Sequence, residues 1–457
     1  MQDRIITVYF SQPHENSKND GMKISLFQGI LFGVFGLAAM VGIFVFATYT
    51  GNSGSSGSVT VGTVVIWGTL PQEHMQNALM TITQSEASLK DVSYVQKNRE
   101  RLATDLASAI ATGNAPDLIM ASQEELQSLA RLITPIPSSV LSKGTFTNTF
   151  IEEGGLFFTP DGVGYYGLPF LVDPLVLFFN RAILSSSGIS KPPATWEELT
   201  GLVPHVALLT STKQITRGLI ALGTYDNVRN ARGILSSLFL QTGVPISSYQ
   251  NGALVADLSS GFSGNTVSGQ AVLNFYTQFA DPSKVSYTWN ASLQDSRQAF
   301  LSGDLALYLG YASEARFLTS ANPNLNFNVS PLPQPATAKL KSAYGLAYAL
   351  MIPRGAKNAG GAYQAAALLT NPNEQMIATA VTGLAPATLA QLGVAPSDPV
   401  AAVAYAEALY AKGWLSPAAS DTDSVFSGMI TGVISGRLTP SSALTSGENS
   451  LSALLQK

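Results

Sequence analysis

From Ile24 to Tyr49 the chain reads ISLFQGILFGVFGLAAMVGIFVFATY, without one charged residue. A helix of about 25 residues at ~1.5 Å each reaches about 38 Å, enough to cross a hydrocarbon layer of ~30 Å with some tilt. A helix that is apolar on every side has no face for water and makes a poor globular element. Val45-Phe46-Ala47 could pass for a signal cleavage site. The run is nevertheless longer than the roughly 7–15 apolar residues of a secretory signal, so an uncleaved membrane anchor is expected. Arg4, Lys18 and Lys23 precede it, and no Lys or Arg follows until Lys90. Basic residues stay on the cytoplasmic side, which predicts a single-pass protein of the cell membrane with residues 1–23 inside and the large remainder extracellular.

Behind the anchor, residues 50–62 form a Gly/Ser tract that reads as a flexible tether. Then the pattern changes. Residues 63–67 (TVVIW), 92–95 and 117–120 (DLIM) are short apolar runs of strand type. Between them, 72–82 and 102–110 carry helical spacing, the second stopping at Gly113-Asn114. Ser122 and Glu125 have the spacing of a capping box, as do Thr195 and Glu198 behind Pro192-Pro193. Further helices are expected at 268–280, 361–370 and 399–412. Strand alternating with helix predicts an α/β fold around a largely parallel sheet.

Composition narrows the function. With 25 Lys and Arg against 29 Asp and Glu, the chain has no cationic surplus for nucleic-acid phosphates. It has no cysteine and only His14, His74 and His205, which argues against thiol chemistry, disulfides and a histidine or thiolate metal site. No metal or cofactor is expected. Gly162 to Gly167 spells G-x-G-x-x-G, but Pro160-Asp161 precedes it and Leu168-Pro169 follows. A dinucleotide site needs a strand before and a helix after, so a tight turn is the better reading. Glu152, Glu153, Asp161 and Asp173 are acids that could serve glycoside cleavage, but no sequence pattern pairs them.

Residues 165–184, YYGLPFLVDPLVLFFNRAIL, resemble the extracellular solute-binding proteins of ABC importers, in the branch related to sugar- and maltodextrin-binding members. Further blocks agree in order: VVIWGT at 64–69, GNAPDLIM at 113–120 and GISKPPATWEEL at 188–199. YTWNASLQDSRQAFLSGDLALYLGYASEA at 287–315, YGLAYALMIPRGAKN at 344–358, GLAPA at 383–387 and ISGRLTPSSAL at 434–444 continue the series.

The resemblance implies a two-lobed clamshell, the periplasmic-binding-protein fold, with a hinge. One lobe would be 62–172 plus 345–384, the other 173–344 plus 385–457. It also implies ligand contacts at Trp67, Ser122, Glu124, Asp173, Trp289, Asn290, Tyr311, Ser313 and Glu314. Asp173 would meet ligand hydroxyls, and Trp67, Trp289 and Tyr311 would supply apolar faces. Ser122 is equally well explained as a helix cap. On this basis the chain is expected to be a non-enzymatic receptor that closes on a small solute, a saccharide by resemblance, and passes it to ABC permease subunits. A membrane-anchored polysaccharide hydrolase and a clamshell sensor or adhesin are the alternatives.

Overall fold

A computed structural model describes residues 61–259 and 267–456, all within the unit Asn52–Lys457. The expected anchor, 24–49, and nearly all of the tether lie outside the described residues. Among those described, no helix is long and apolar enough to cross a membrane.

The first apolar run is β1 (Val64–Gly68), flanked on both sides by parallel strands, β2 (Val92–Gln96) and β3 (Leu118–Ser122). Helix α1 (Gln72–Ser85) connects β1 to β2 and buries Met75, Ala78, Leu79 and Ile82, one stripe at helical spacing. Helix α2 (Leu102–Ala111) ends where expected: Gly113 takes the left-handed conformation, φ 70°, that only glycine adopts without strain. Helix α3 (Gln123–Leu129) follows β3 with no intervening loop.

Strand β4 (Leu168–Asn180) organises the rest. It is buried almost throughout, as a strand covered on both faces must be. From Leu168 to Pro174 it pairs with β8 (Ala343–Met351), and from Leu175 to Phe179 with β6 (Leu305–Tyr311), both antiparallel. The partner changes at Pro174, whose ring nitrogen has no N–H to give a ladder. Beyond β6 lies β5 (Ile215–Ile220), so the strand order is β2-β1-β3-β8-β4-β6-β5. Strand β7 (Phe327–Ser330) also lies along β4. One continuous path of strands thus serves the two halves of a two-lobed α/β fold. Helix α4 (Ala231–Gln241) covers β8, and α5 (Ala419–Ile434) and α6 (Pro440–Leu455) pack against each other close by.

Three local expectations shift. The helix expected at 399–412 stops at Ala408, and Ala411–Lys412 pairs instead with Ala343 and Tyr344. Alanine propensity favoured helix, but a free strand edge outweighs it. In the second cap, Thr195 accepts from Glu198 N, while the Glu198 carboxylate reaches Ala194 N rather than the Thr195 backbone. The helix expected at 268–280 runs from Val267 to Thr277 and tightens to a 3-10 turn at Gln278–Ala280. Gly162, at φ 69°, sits in a turn ahead of the two-residue strand Gly164–Tyr165, so the glycine pattern opens no helix.

Candidate functional site

Ligands of open α/β sheets bind beyond the carboxyl ends of the strands. In the first half those ends carry Trp67 and Gly68 on β1 and Ser122 on β3. Gly68 is required there, because a Cβ would stand 2.7 Å from the Tyr94 ring. Trp67 is half-buried, and the Lys97 ammonium lies 3.6 Å from its ring centroid. Across from these, α4 brings Arg232 and Gly233, and the end of β6 brings Tyr311. Gly233 again has a reason: a Cβ would meet the Tyr311 hydroxyl at 2.6 Å.

Glu124, 1% exposed, is one of the points where the two halves touch. Its Oε1 accepts from Arg232 Nε at 3.0 Å and from the Tyr344 hydroxyl at 2.6 Å. Its Oε2 accepts from Arg232 Nη2 at 2.9 Å and Arg99 Nη1 at 3.2 Å. Arg232 Nη1 also donates to Asp423 at 2.5 Å and to the Ala419 carbonyl at 3.2 Å, and the Tyr225 hydroxyl donates to Asp423 at 2.5 Å. Arg99 pairs with Glu125 at 3.2 Å and donates to the Tyr348 hydroxyl. Burial alone would push the Glu124 carboxyl up, but the Arg232 and Arg99 guanidiniums overcome it and hold the group below its usual value. Glu125 goes the other way: burial raises it, and the charge of Glu124 adds to that against the pull of Arg99.

The residues singled out in the sequence divide into two sets. Glu124 bonds Arg232 of the second half, Tyr311 at the end of β6 lies against Gly233, and Trp67 ends β1 under the Lys97 ammonium. The others are held by partners of their own. Ser122 is fully buried and forms the capping box, accepting from Glu124 N at 3.3 Å and donating to Glu125 at 2.8 Å. Asp173 and Ser313 are brought together across 140 residues: Ser313 N donates to Oδ1 at 3.0 Å and Ser313 Oγ to Oδ2 at 2.6 Å. Burial pushes Asp173 up to about 7, against those two hydrogen bonds. Glu314 accepts from Tyr311 N, Asn230 and Tyr308. Trp289, 1% exposed, packs beside Gly218 and donates its indole N–H to Asn227. Asn290 closes a local turn onto Ser292 and bonds Tyr287.

Arg99, Arg232, Tyr344, Tyr348 and Asp423 were not singled out. Only one signal pointed to Arg232: a guanidinium at the start of a helix whose next residues are almost all buried. The acids considered for glycoside cleavage are dispersed. Glu152 pairs with Lys412, Glu153 is buried, and Asp161 folds onto Thr159 and Val163 in an exposed turn. Among the described residues no group of three or more potential ligands is placed to hold a metal ion. A cavity of about 630 Å³ lies away from the cleft, among Trp196, Pro204, Leu238, Val272, Phe275 and Pro335, and contains none of the residues above.

A profile of the bacterial extracellular solute-binding protein family matches residues 86–423. No curated protein matches the chain. Among solved structures, a cyclo/maltodextrin-binding protein complexed with maltotetraose is similar at TM-score 0.68 and 17% identity, over 88% of this chain and 99% of that one. The cyclic α-maltosyl-1,6-maltose binding protein from Arthrobacter globiformis gives 0.69 and 17%, over 88% and 100%. A solute-binding protein of an ABC transporter from Thermotoga lettingae, bound with α-D-tagatose, gives 0.65 and 19%, over 86% and 100%.

Proposed function

This chain belongs to the bacterial extracellular solute-binding protein family, and from that premise we propose that it is a receptor closing on a neutral saccharide and delivering it to an ABC permease. The observation that carries the reading is the change of partner along β4 at Pro174, where the strand passes from β8 of one half to β6 of the other, as a hinge crossing would. The solved relatives holding maltotetraose and tagatose favour a sugar. The lobes are 62–172 plus 345–384 and 173–344 plus 385–457, with Ala385–Pro386 lying along Val172 and Leu171 at the border.

In this reading Trp67 and Tyr311 supply the faces on which a sugar ring packs. Ser122, Asp173, Trp289, Asn290, Ser313 and Glu314 act by holding the walls in place. Stacking contributes roughly 0.5–1.5 kcal/mol beyond burial. A shift from mostly open to mostly closed needs about 5.5 kcal/mol of differential binding, so several contacts must act together. The charge-free run 24–49 anchors the receptor and the Gly/Ser tract tethers it, which keeps it near its permease at high effective concentration.

The test is a melting-temperature series on the full chain with mono- and oligosaccharides, polyols, amino acids and peptides. A ligand present at about 100 times its Kd stabilises by about 2.7 kcal/mol, so the true class stands out. Saccharide-dependent stabilisation, with the sugar recovered intact, supports the receptor. Stabilisation by amino acids or peptides alone, or turnover of the sugar, overturns it.

A further inference from the structure

The bridge between the halves has an unusual property. Glu124 stands at the start of α3, in the first half, and Arg232 at the start of α4, in the second, 108 residues away. They meet fork to fork, two guanidinium N–H groups reaching the two carboxylate oxygens at 2.9 and 3.0 Å. Each group also has a second partner on its own side: Glu124 keeps Arg99, from the loop after β2, and Arg232 keeps Asp423 and the Ala419 carbonyl of α5. Helix α5 is tied to α4 through the rings of Phe239 and Phe426 and to Tyr225 through Asp423. Separating the halves would break the Glu124–Arg232 fork and the Tyr344 hydrogen bond to Glu124, while Arg99 and Asp423 remain to pair the two charges.

Stranding a buried charge is what makes most ion pairs irreversible within a fold. A pair whose members both retain a partner can open and reform, and so defines two states rather than one. We propose that Glu124 and Arg232 form a latch that holds the lobes closed in the absence of ligand. The latch tunes ligand affinity without touching ligand chemistry. A ligand that needs the closed form binds with an apparent Kd equal to its intrinsic Kd divided by the closed fraction, so a populated closed state tightens binding. Arg232 and Glu124 are positioning residues in this scheme. The latch rests on the receptor reading but is tested without any sugar, so its failure and a failure to find the ligand are read separately.

The chain has no cysteine, so spin labels attach only where cysteines are introduced. Labels at Glu100→Cys and Ser424→Cys, both exposed, span the two halves beside the latch. Pulsed electron–electron distance measurement on the ligand-free full chain should show a predominantly short separation. Arg232→Gln and Glu124→Gln should each move the main population to longer distances, with the closed fraction relative to open falling about tenfold or more, as for loss of a charge-assisted hydrogen bond. Arg232→Lys, which keeps the charge but loses the fork, should fall between. Arg101→Gln, which breaks only the exposed Arg101–Asp105 pair within the first half, should leave the distance unchanged. A long separation in the unmutated ligand-free protein overturns the latch. So does an unchanged short separation in a folded latch variant. If Arg232→Gln does not fold, Glu124→Gln and Arg232→Lys decide by the same comparison.

Discussion

Glu124 at the cleft floor and Glu153 beneath the crossing strands are almost equally inaccessible, 1% and 3% exposed, yet their surroundings drive them in opposite directions. Around Glu124 two guanidiniums converge, and its carboxyl sits below the usual range despite burial. Glu153 has no such company among the described residues. Its oxygens face the backbone of Gly413 and Gly345, neither has a hydrogen-bond partner, and burial raises the group well above its usual value. Lys412 pairs with exposed Glu152 at 2.5 Å and only weakly opposes that rise. Burial sets the energy at stake, and the reach of a partner decides the sign. The same holds within one helix, where Glu124 is lowered and its neighbour Glu125 raised. A charged floor that can re-pair suits a surface that opens. A carboxyl that burial drives towards its protonated form, packed against glycines, suits the dry layer beneath the crossing strands.

The contrast is most exposed to failure at Glu124. Glu124→Ala removes the acceptor of two arginines and Tyr344; Arg232 keeps Asp423 and Arg99 keeps Glu125, so the loss should be about 2–3 kcal/mol in chemical denaturation, as for a buried charge-assisted hydrogen bond. A loss no larger than that from Glu153→Ala would erase the difference between the two regions. Next in size is the pH dependence. Glu153, Asp173 and Glu407 are all raised by burial, the last two to about 7, so the folded state keeps protons that the unfolded chain releases near pH ~4. For Asp173 and Glu407 the stabilisation is complete below about pH 4 and is lost as pH rises through about 7, and Glu153 contributes with the same sign. The total is a few kcal/mol, since each tenfold difference in proton affinity between folded and unfolded chain is worth ~1.4 kcal/mol. Glu124, lowered, works the other way, and its contribution is lost only as pH falls below its usual range. Denaturant midpoints at about pH 4.5, 6 and 7.5 read the net slope, and a midpoint that rises across that window would reverse the assignment.

Smaller effects sharpen the hinge side. A Cβ on Gly413 would overlap Glu153 Oε1 and stand 2.8 Å from Gln123 Nε2, so Gly413→Ala should cost about 1–3 kcal/mol through overpacking. A neutral result would mean the carboxyl can turn aside, contrary to a tightly filled hinge. Smallest of all, Glu153→Gln keeps the volume and has no charge to lose, so stability near pH ~5 should change by no more than about 1 kcal/mol. The same variant should flatten the loss on going to about pH 7.5, and an unaltered slope would remove Glu153 from the titrating set.

Much of the frame was legible in the chain. β1, β2 and β3 fall within a residue or two of the apolar runs, and Ser122 caps α3 as its spacing to Glu125 requires. The site was less legible. Trp289 follows Tyr287 and Thr288 in an aromatic block that reads equally well as a wall or a core, and packing against Gly218 makes it core. Asp173 carries a charge beside the hinge, but whether it faces the cleft depended on Ser313, 140 residues away.

That difference has one physical origin. Strand and helix periodicity and capping act over a few neighbouring residues, so the sequence alone settled the alternating strands and helices. The pairing of Glu124 with Arg232, the company of Asp173 and the isolation of Glu153 depend on distances across 108, 140 and 192 residues, set only when the strands pair and the helices pack on them. Coulomb energy and desolvation vary steeply over a few ångströms, and no local pattern encodes where a guanidinium will arrive.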